Sequence, residues 1–236
     1  MIPKKIHYVW FGDAEMNTTL KNCLASWEKM LPDYEIKCWN ERNSPLDYRF
    51  MKQMIRHKKW AMISDYIRIY SLYHEGGIYL DTDVEVIKSL DPFLQDGCFL
   101  GFQQEKPSSH WVNCAVMGAE NEHTFLKDCL DLFDKSQRRD NRPFVGPDIS
   151  TLVLRDYGLK EYGNQDLNGV KIYEYDYFYP YHFTESYNKE CITDNTHCIH
   201  HWQISWKKKG GMKDWIIRSQ YRIARFFTIV KYSIFK

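Results

Sequence analysis

An apolar strand that ends in two carboxylates constrains this chain more than any other feature. After Gly76 and Gly77 the sequence reads Ile-Tyr-Leu and then Asp81-Thr82-Asp83. Residues two apart in an extended chain project to the same side, so both carboxylates face one point. Two such carboxylates repel each other unless a hard divalent cation, Mg²⁺ or Mn²⁺, joins them, and that cation keeps positions for phosphate oxygens. The alternative is a solvated Asp-Thr-Asp turn, but the apolar strand before it and the close backbone approach that glycine permits favour the metal site.

A second charged pair precedes this strand. Residues 60–75 have apolar side chains at helical spacing and stop at the glycine pair, which predicts a helix. Asp65 and Arg68 are three residues apart on it and share one face. The pair is either a structural salt bridge or a hydroxyl-binding Asp beside an Arg that binds sugar or phosphate.

Strand and helix patterns alternate along the chain, which predicts an α/β fold with a Rossmann-like mixed sheet, largely parallel, flanked by helices. Strands are predicted over residues 5–11, 35–39, 78–86, 98–102, 111–118, 170–175 and 198–202, and helices over 17–30, 47–57, 60–75, 122–136 and 147–157. We expect one catalytic domain over 1–212 and a separate helix over 213–236.

Composition narrows the class of protein. With 236 residues, 44% hydrophobic and 27% charged, the chain is globular rather than disordered. Its seven cysteines form no Cys-x-x-Cys pair, which argues against a zinc ribbon and, because the number is odd, favours the cytosol. No secretory h-region and no run of 18 apolar residues is present, so no signal peptide or spanning helix is predicted. The net charge of +1 without a broad basic face excludes a nucleic-acid partner.

The C-terminal residues 213–236 carry six cations against Asp214, a local charge of +5. On a helical wheel Arg218, Arg222 and Arg225 line one face, and the opposite face is apolar, with Ile216, Ile223, Phe227, Val230 and Ile234. This pattern predicts a basic amphipathic helix on an anionic membrane surface, which places the protein peripherally on the cytoplasmic face. The alternative is a helix packed on the domain with a solvated basic edge.

Several stretches together resemble glycosyltransferase family 32. They are Ile2–Gly12 (IPKKIHYVWFG), Ser64–Arg68 (SDYIR), Gly76–Asp83 (GGIYLDTD) and His200-His201-Trp202 followed by Ser205-Trp206. That family includes initiating α-1,6-mannosyltransferases of the yeast type and bacterial capsule and O-antigen transferases, and it shares its core with the clostridial glucosylating toxins. The resemblance implies a GT-A type fold and a metal-dependent, retaining transfer from a nucleoside-diphosphate sugar, UDP-linked, to a growing surface glycan or lipid-linked glycan.

The resemblance also implies roles for individual residues. Asp83 would bind Mn²⁺ or Mg²⁺ together with His201, the slightly preferred histidine, or His200. Trp10 would stack on the nucleotide base, although packing in the core is the alternative. The full donor-binding set is Val9, Trp10, Asp65, Arg68, Tyr79, Asp81, Ser205 and Trp206. Gly146 and Asp148 would face the sugar or the acceptor, unless Asp148 only caps the following helix.

No protein base is assigned, because in a retaining front-face reaction the leaving phosphate accepts the acceptor proton. Asp81 and Asp83 would be essential through the donor and the metal. Two rival functions remain open. A haloacid-dehalogenase-type phosphatase would use Asp81 as nucleophile and Asp83 as acid, but that family has its motif on the first strand. A membrane-associated module would bind nucleotide or glycan without catalysis.

Overall fold

A seven-stranded mixed sheet lies at the centre of the computed structural model, which describes residues 1–108, 110–139 and 146–203. The strands are β1 (Lys5–Val9), β2 (Glu35–Trp39), β3 (Gly77–Leu80), β4 (Val84–Val86), β5 (Cys98–Phe102), β6 (Val112–Ala119), β7 (Gln165–Leu167), β8 (Val170–Tyr173) and β9 (Cys198–His200). The helices are α1 (Thr18–Met30), α2 (Arg49–Arg56), α3 (Trp60–Glu75), α4 (Thr124–Arg139) and α5 (Gly146–Asp156). Short 3₁₀ turns occupy Asp91–Phe93, Tyr175–Tyr177 and Lys189–Cys191.

The strand order in the large sheet is β2-β1-β3-β6-β5-β8-β7. β1 is parallel to both β2 and β3, and β5 is parallel to β8, whereas β3–β6, β5–β6 and β7–β8 are antiparallel. The predicted α/β class with a mixed sheet is confirmed. Fewer of its pairings are parallel than the alternation of elements predicts, because β5–β6 and β7–β8 are connected directly, without a crossover helix.

The predicted strand 78–86 is interrupted at its carboxylates. β3 ends at Leu80, a turn closed by the Val84 N–H donating to the Asp81 carbonyl (3.0 Å) follows, and β4 leaves the sheet. β4 then pairs antiparallel with β9 in a separate two-stranded sheet. The interruption leaves Asp81 and Asp83 on either side of a sharp change in chain direction, at the carboxyl end of β3.

The other end of β3 requires glycine. α3 ends at Gly76 (φ 64°), and Gly77 follows with φ 111°, values that side-chain-bearing residues rarely adopt. A Cβ on Gly77 would lie 2.6 Å from the Lys5 carbonyl oxygen of β1. The pair therefore brings β3 against β1 immediately after the helix, and it fixes how far β3 extends before it reaches Asp81.

The core lies on both faces of the sheet. Helix α3 covers one face with a row of buried side chains. Helix α1 packs on β1 through the Trp27 ring, which lies 5.6 Å from the Tyr8 ring, and on β4, where the Trp27 indole donates to the Val84 carbonyl (2.7 Å). Residues Met1–Trp202 form one compact unit. The predicted boundary at 212 and the predicted helix over 213–236 lie outside the described residues. In the part of the chain that the structure describes, the helices are too short or too polar to span a bilayer.

Candidate active site

Three metal-ligating side chains meet at the carboxyl end of β3. Asp81, Asp83 and His200 each place one ligand atom within 4.8 Å of the others. His200 Nε2 lies 3.2 Å from an Asp83 carboxylate oxygen, and both residues are buried. The pairing of β4 with β9 sets Val84 opposite His200. A strand distant in sequence therefore brings the imidazole to the Asp-x-Asp turn. Sequence spacing alone does not reveal this contact.

The chemistry of this set suits a divalent cation. Carboxylate oxygens are the protein ligands that Mg²⁺ and Mn²⁺ prefer. His200 Nδ1 is buried and has no hydrogen-bond partner among the described residues. Burial lowers the pKa of His200, but Asp83 and Asp81 outweigh that effect, so the pKa is raised above its ordinary value. The cluster thus favours positive charge, on His200 itself or as a bound cation, and the residues present fit the expected metal.

His201 faces a different partner. Its Nε2 lies 2.8 Å from a Glu85 carboxylate oxygen, and its backbone N–H donates to the Asp83 carbonyl (2.9 Å). Successive side chains of an extended chain point to opposite sides, which separates His201 from His200. The structure brings His200 into the group of three and leaves His201 beside Glu85, whereas the sequence analysis slightly preferred His201.

A buried arginine joins the two predicted charged motifs. Arg68 Nη2 lies 3.1 Å from Asp81 and 3.3 Å from Asp65, and its Nη1 donates to the Cys114 carbonyl (2.6 Å). The Tyr79 hydroxyl donates to the same Asp81 oxygen (2.9 Å). Burial opposes the charge of Arg68, yet Asp81, Tyr79 and Asp65 outweigh it, so its pKa is raised. Burial also raises the pKa of Asp65, against the effect of Arg68. Asp81 therefore belongs to both groups of charges.

The N-terminus of α5 closes the site beside Asp65. A Cβ on Gly146 would lie 3.0 Å from an Asp65 carboxylate oxygen, and the Gly146 backbone bonds the same carboxylate. Asp148 is fully buried in the first turn of α5, where a negative charge is favourable, and lies 2.7 Å from His110 Nε2. Because α5 begins at Gly146, Asp148 is not its N-cap residue. His110 was missed by the sequence analysis, and no local pattern marks an isolated histidine.

Trp10 lines an open cavity of about 490 Å³ beyond the ends of β1 and β2. The other lining residues are Gly12, Asp13, Cys38, Asn40, Glu41 and Arg42. Trp10 is half-buried, and its indole donates to the Ala14 carbonyl (3.0 Å), so one edge is anchored. Val9 precedes it as the last residue of β1, half-buried and opposite Trp39. Ser205 and Trp206 lie outside the described residues.

Comparison with known proteins agrees with this geometry. Residues 17–100 match a family described as a glycosyltransferase sugar-binding region containing a DXD motif, a range that includes Asp65, Arg68, Asp81 and Asp83. Over these residues the chain is similar to the sugar-binding region of such glycosyltransferases. The resemblance to glycosyltransferase family 32 that the sequence analysis predicted is confirmed by this match.

Several of the relatives are named for ceramide lipids. The chain is 32% identical over 130 residues to inositol phosphoceramide mannosyltransferase 3 of Schizosaccharomyces pombe, across 53% of this chain and 35% of the relative. It is 26% identical to mannosyl phosphorylinositol ceramide synthase CSH1 of Saccharomyces cerevisiae, across 72% and 46%. It is 30% identical to lactosylceramide 4-alpha-galactosyltransferase of Rattus norvegicus, across 58% and 38%. The chain thus spans less than half the length of these relatives.

Solved structures establish the fold. The PaToxG glycosyltransferase superposes with a TM-score of 0.55 at 20% identity, covering 66% of this chain and 69% of that one. The galactosyltransferase LgtC, solved with donor and acceptor sugar analogues, superposes with a TM-score of 0.50 at 15% identity, covering 87% and 90%. The predicted GT-A type of fold is confirmed.

Proposed function

We propose that this chain is a metal-dependent, retaining glycosyltransferase that takes its sugar from a nucleoside-diphosphate donor, most simply UDP-linked. The observation that carries the proposal is the cluster of Asp81, Asp83 and His200 at the end of β3, of which the two acids lie within the matched DXD region. It supports a donor site because two acidic ligands and one imidazole leave several positions on a divalent ion for diphosphate oxygens.

The donor would lie across the carboxyl ends of β1 and β3. The cavity beside Trp10 would take the base, which stacks on the indole. Asp81, Asp83 and His200 would hold a divalent ion, which when bound neutralises charge that grows on the departing diphosphate. Asp65, at the N-terminus of α5, would accept hydrogen bonds from sugar hydroxyls.

Arg68 would act mainly on these carboxylates. Its guanidinium already bonds Asp65, Asp81 and the Cys114 carbonyl, so it holds both acids in fixed orientations. Its charge also contributes a favourable potential for the diphosphate. Retention of configuration would follow a front-face path in which the leaving phosphate, rather than a protein base, accepts the proton of the acceptor hydroxyl.

The acceptor would be a glycan or a lipid-linked glycan, such as a growing capsule or O-antigen chain. The mannosyl- and galactosyltransferases among the relatives support a hexose as the transferred sugar, and their ceramide names support a lipid-borne acceptor. Gly146 and Asp148, beside Asp65, are the residues we assign to the sugar or the acceptor. The predicted tail over 213–236 would add membrane contact.

Hydrolysis of nucleotide sugars without acceptor tests the function. A panel of UDP- and GDP-linked hexoses is incubated with Mn²⁺, with Mg²⁺ and with EDTA, and free sugar and nucleotide are measured. We expect metal-dependent hydrolysis of at least one UDP-sugar. The matched control is Asp131→Asn, which removes an exposed carboxylate paired with Lys127 and should leave turnover unchanged. Hydrolysis of GDP-sugars alone would overturn the UDP assignment.

The rival functions give different results in the same assay. A phosphatase would release inorganic phosphate from simple phosphomonoesters; its motif follows the first strand, whereas Asp81 follows the third strand of this chain. A module without catalytic activity would bind UDP yet release no sugar from any donor in the panel.

A further inference from the structure

A basic segment at residues 48–60 has no assigned role in the donor site. Its sequence, Tyr-Arg-Phe-Met-Lys-Gln-Met-Ile-Arg-His-Lys-Lys-Trp, carries five Lys and Arg side chains and no carboxylate. The whole chain is +1 and residues 213–236 carry +5, which leaves −9 for all remaining residues. The basic segment and residues 213–236 are therefore two cationic stretches beside an acidic remainder.

Apolar residues of the basic segment pack into the protein, whereas several of its cationic side chains are exposed to solvent. Phe50 and Met51 are buried, and the Phe50 ring packs edge-on against Phe133 of α4 at 5.0 Å. Lys52, Arg56, His57, Lys58 and Lys59 are exposed, whereas Met54 and Ile55 are half-buried beside them. Lys52 lies 3.4 Å from Asp47, and because both side chains are largely exposed this pair is weak.

The end of the basic segment lies near the carboxyl ends of β1 and β3, the side of the sheet that holds the proposed donor site. It ends at Trp60, the first residue of α3, whose ring stacks on Phe11 at 6.2 Å and lies 3.4 Å from the position of a Cβ on Gly12. Gly12 lines the same cavity as Trp10. From Trp60, α3 runs back along the sheet to Gly76, so its start and the Asp-x-Asp turn lie at the same end of the parallel strands.

We propose that the basic segment is a docking surface for an anionic lipid bilayer. Exposed cations near a negatively charged membrane surface are each worth roughly 1 kcal/mol, and long cationic side chains with neighbouring apolar groups suit the interface. The ceramide-named relatives favour a lipid surface over other anionic partners. The surface itself rests on charge and exposure. Only its purpose, to bring the donor site to a lipid-borne acceptor, rests on the proposed function.

Vesicle sedimentation with the full chain tests the proposal. Wild type, Lys58→Gln/Lys59→Gln and the control Lys29→Gln/Lys160→Gln are mixed with phosphatidylserine–phosphatidylcholine vesicles and with phosphatidylcholine vesicles. The control removes the same charge from exposed positions outside the basic segment. We expect the Lys58/Lys59 variant to bind anionic vesicles about tenfold or more weakly than wild type. The control should stay within about twofold, Lys58→Arg/Lys59→Arg should bind like wild type, and high salt should reduce the difference.

Three results would overturn this proposal. They are equal binding by wild type and the Lys58/Lys59 variant, an equal loss in the control variant, or no preference of the wild type for anionic vesicles. Nucleotide-sugar hydrolysis in solution, measured on the same samples, separates this outcome from failure of the proposed function. The Lys58/Lys59 variant should hydrolyse donor at the wild-type rate, because neither lysine lines the donor site.

Discussion

A buried histidine from a neighbouring strand lies beside each end of β3, His7 of β1 at the amino end and His200 of β9 at the carboxyl end, and the two differ in their hydrogen-bond partners. At the amino end, His7 Nδ1 accepts from the Trp39 indole (3.0 Å), and Nε2 lies 2.7 Å from the Gly76 carbonyl. At the carboxyl end, His200 has one nitrogen beside Asp83 and a buried Nδ1 with no partner among the described residues. Both ring nitrogens of His7 have partners within the protein, whereas the polar groups around His200 suit an added ligand.

The pKa values of the two histidines follow this difference. Burial disfavours the charged ring and lowers the pKa of His7 to about 4, although the contact with the Gly76 carbonyl acts in the opposite direction. The neighbouring carboxylates raise the pKa of His200 despite its burial. Burial of a histidine therefore says little about its role until its partners are known. A neutral, fully bonded ring supports the fold, whereas a ring held between carboxylates supports binding of a cation.

The largest expected effect comes from Arg68, whose buried guanidinium neutralises the carboxylates near the carboxyl end of β3. Arg68→Met leaves Asp65 and Asp81 without their buried cation, and loss of one partner from a buried ion pair costs about 3–5 kcal/mol. We expect that loss in the free energy of unfolding, measured by urea denaturation. The added substitution Asp65→Asn should recover part of it. A variant as stable as wild type would show that the arginine does not balance these acids.

Asp83→Asn should separate function from stability at the same end. It removes a ligand of the proposed metal site while leaving the shape of the side chain, so we expect turnover of the nucleotide sugar to fall about 10²–10³-fold, as for loss of one stabilising group in the transition state. The melting temperature without metal should change little, because relief of the repulsion with Asp81 offsets the weakened contact with His200. Near-normal metal-dependent turnover by a folded variant would mean that the metal site is misplaced.

Trp10→Ala should weaken UDP binding by about 1–3 kcal/mol, the range for losing one base-stacking platform. The indole is half-buried at the cavity of the carboxyl end, so its loss should affect binding more than stability. Calorimetric titration with UDP measures the change, and Trp10→Phe, which keeps a ring, should retain most of the affinity. An equal loss of stability and binding would instead assign Trp10 to the core.

Because of His7, the free energy of unfolding should fall as the pH is lowered. Its folded-state pKa of about 4 lies below the unfolded value of 6.5, so the unfolded chain takes up the proton first as the pH falls. The stability from neutral His7 is present above pH 6.5 and is lost toward pH 4. We expect about 2 kcal/mol of loss between pH 7 and pH 5. His7→Gln should show a correspondingly flatter pH dependence; an identical slope in both proteins would contradict the assignment.

The sequence predicted most of the framework of this site, because its signals are local. The helix at residues 60–75, the strand 35–39 and the Asp65–Arg68 pair depend on periodicity and short spacing, and the structure has them at those positions. The choice between His200 and His201 depends on the pairing of β4 with β9, a contact distant in sequence. The contact between His110 and Asp148 is of the same kind. Neither leaves a pattern within any single element.

The proposed function depends most on a divalent ion bound by Asp81, Asp83 and His200. Isothermal titration of Mn²⁺ into the full chain with UDP present measures this directly, with His200→Gln, His201→Gln and the exposed control Asp131→Asn alongside. We expect one saturable site in the wild type, an affinity at least tenfold weaker in His200→Gln, and wild-type binding in Asp131→Asn. We expect a smaller change in His201→Gln, whose ring faces Glu85. Mn²⁺ binding that is unchanged by His200→Gln but lost in His201→Gln would contradict the proposed site.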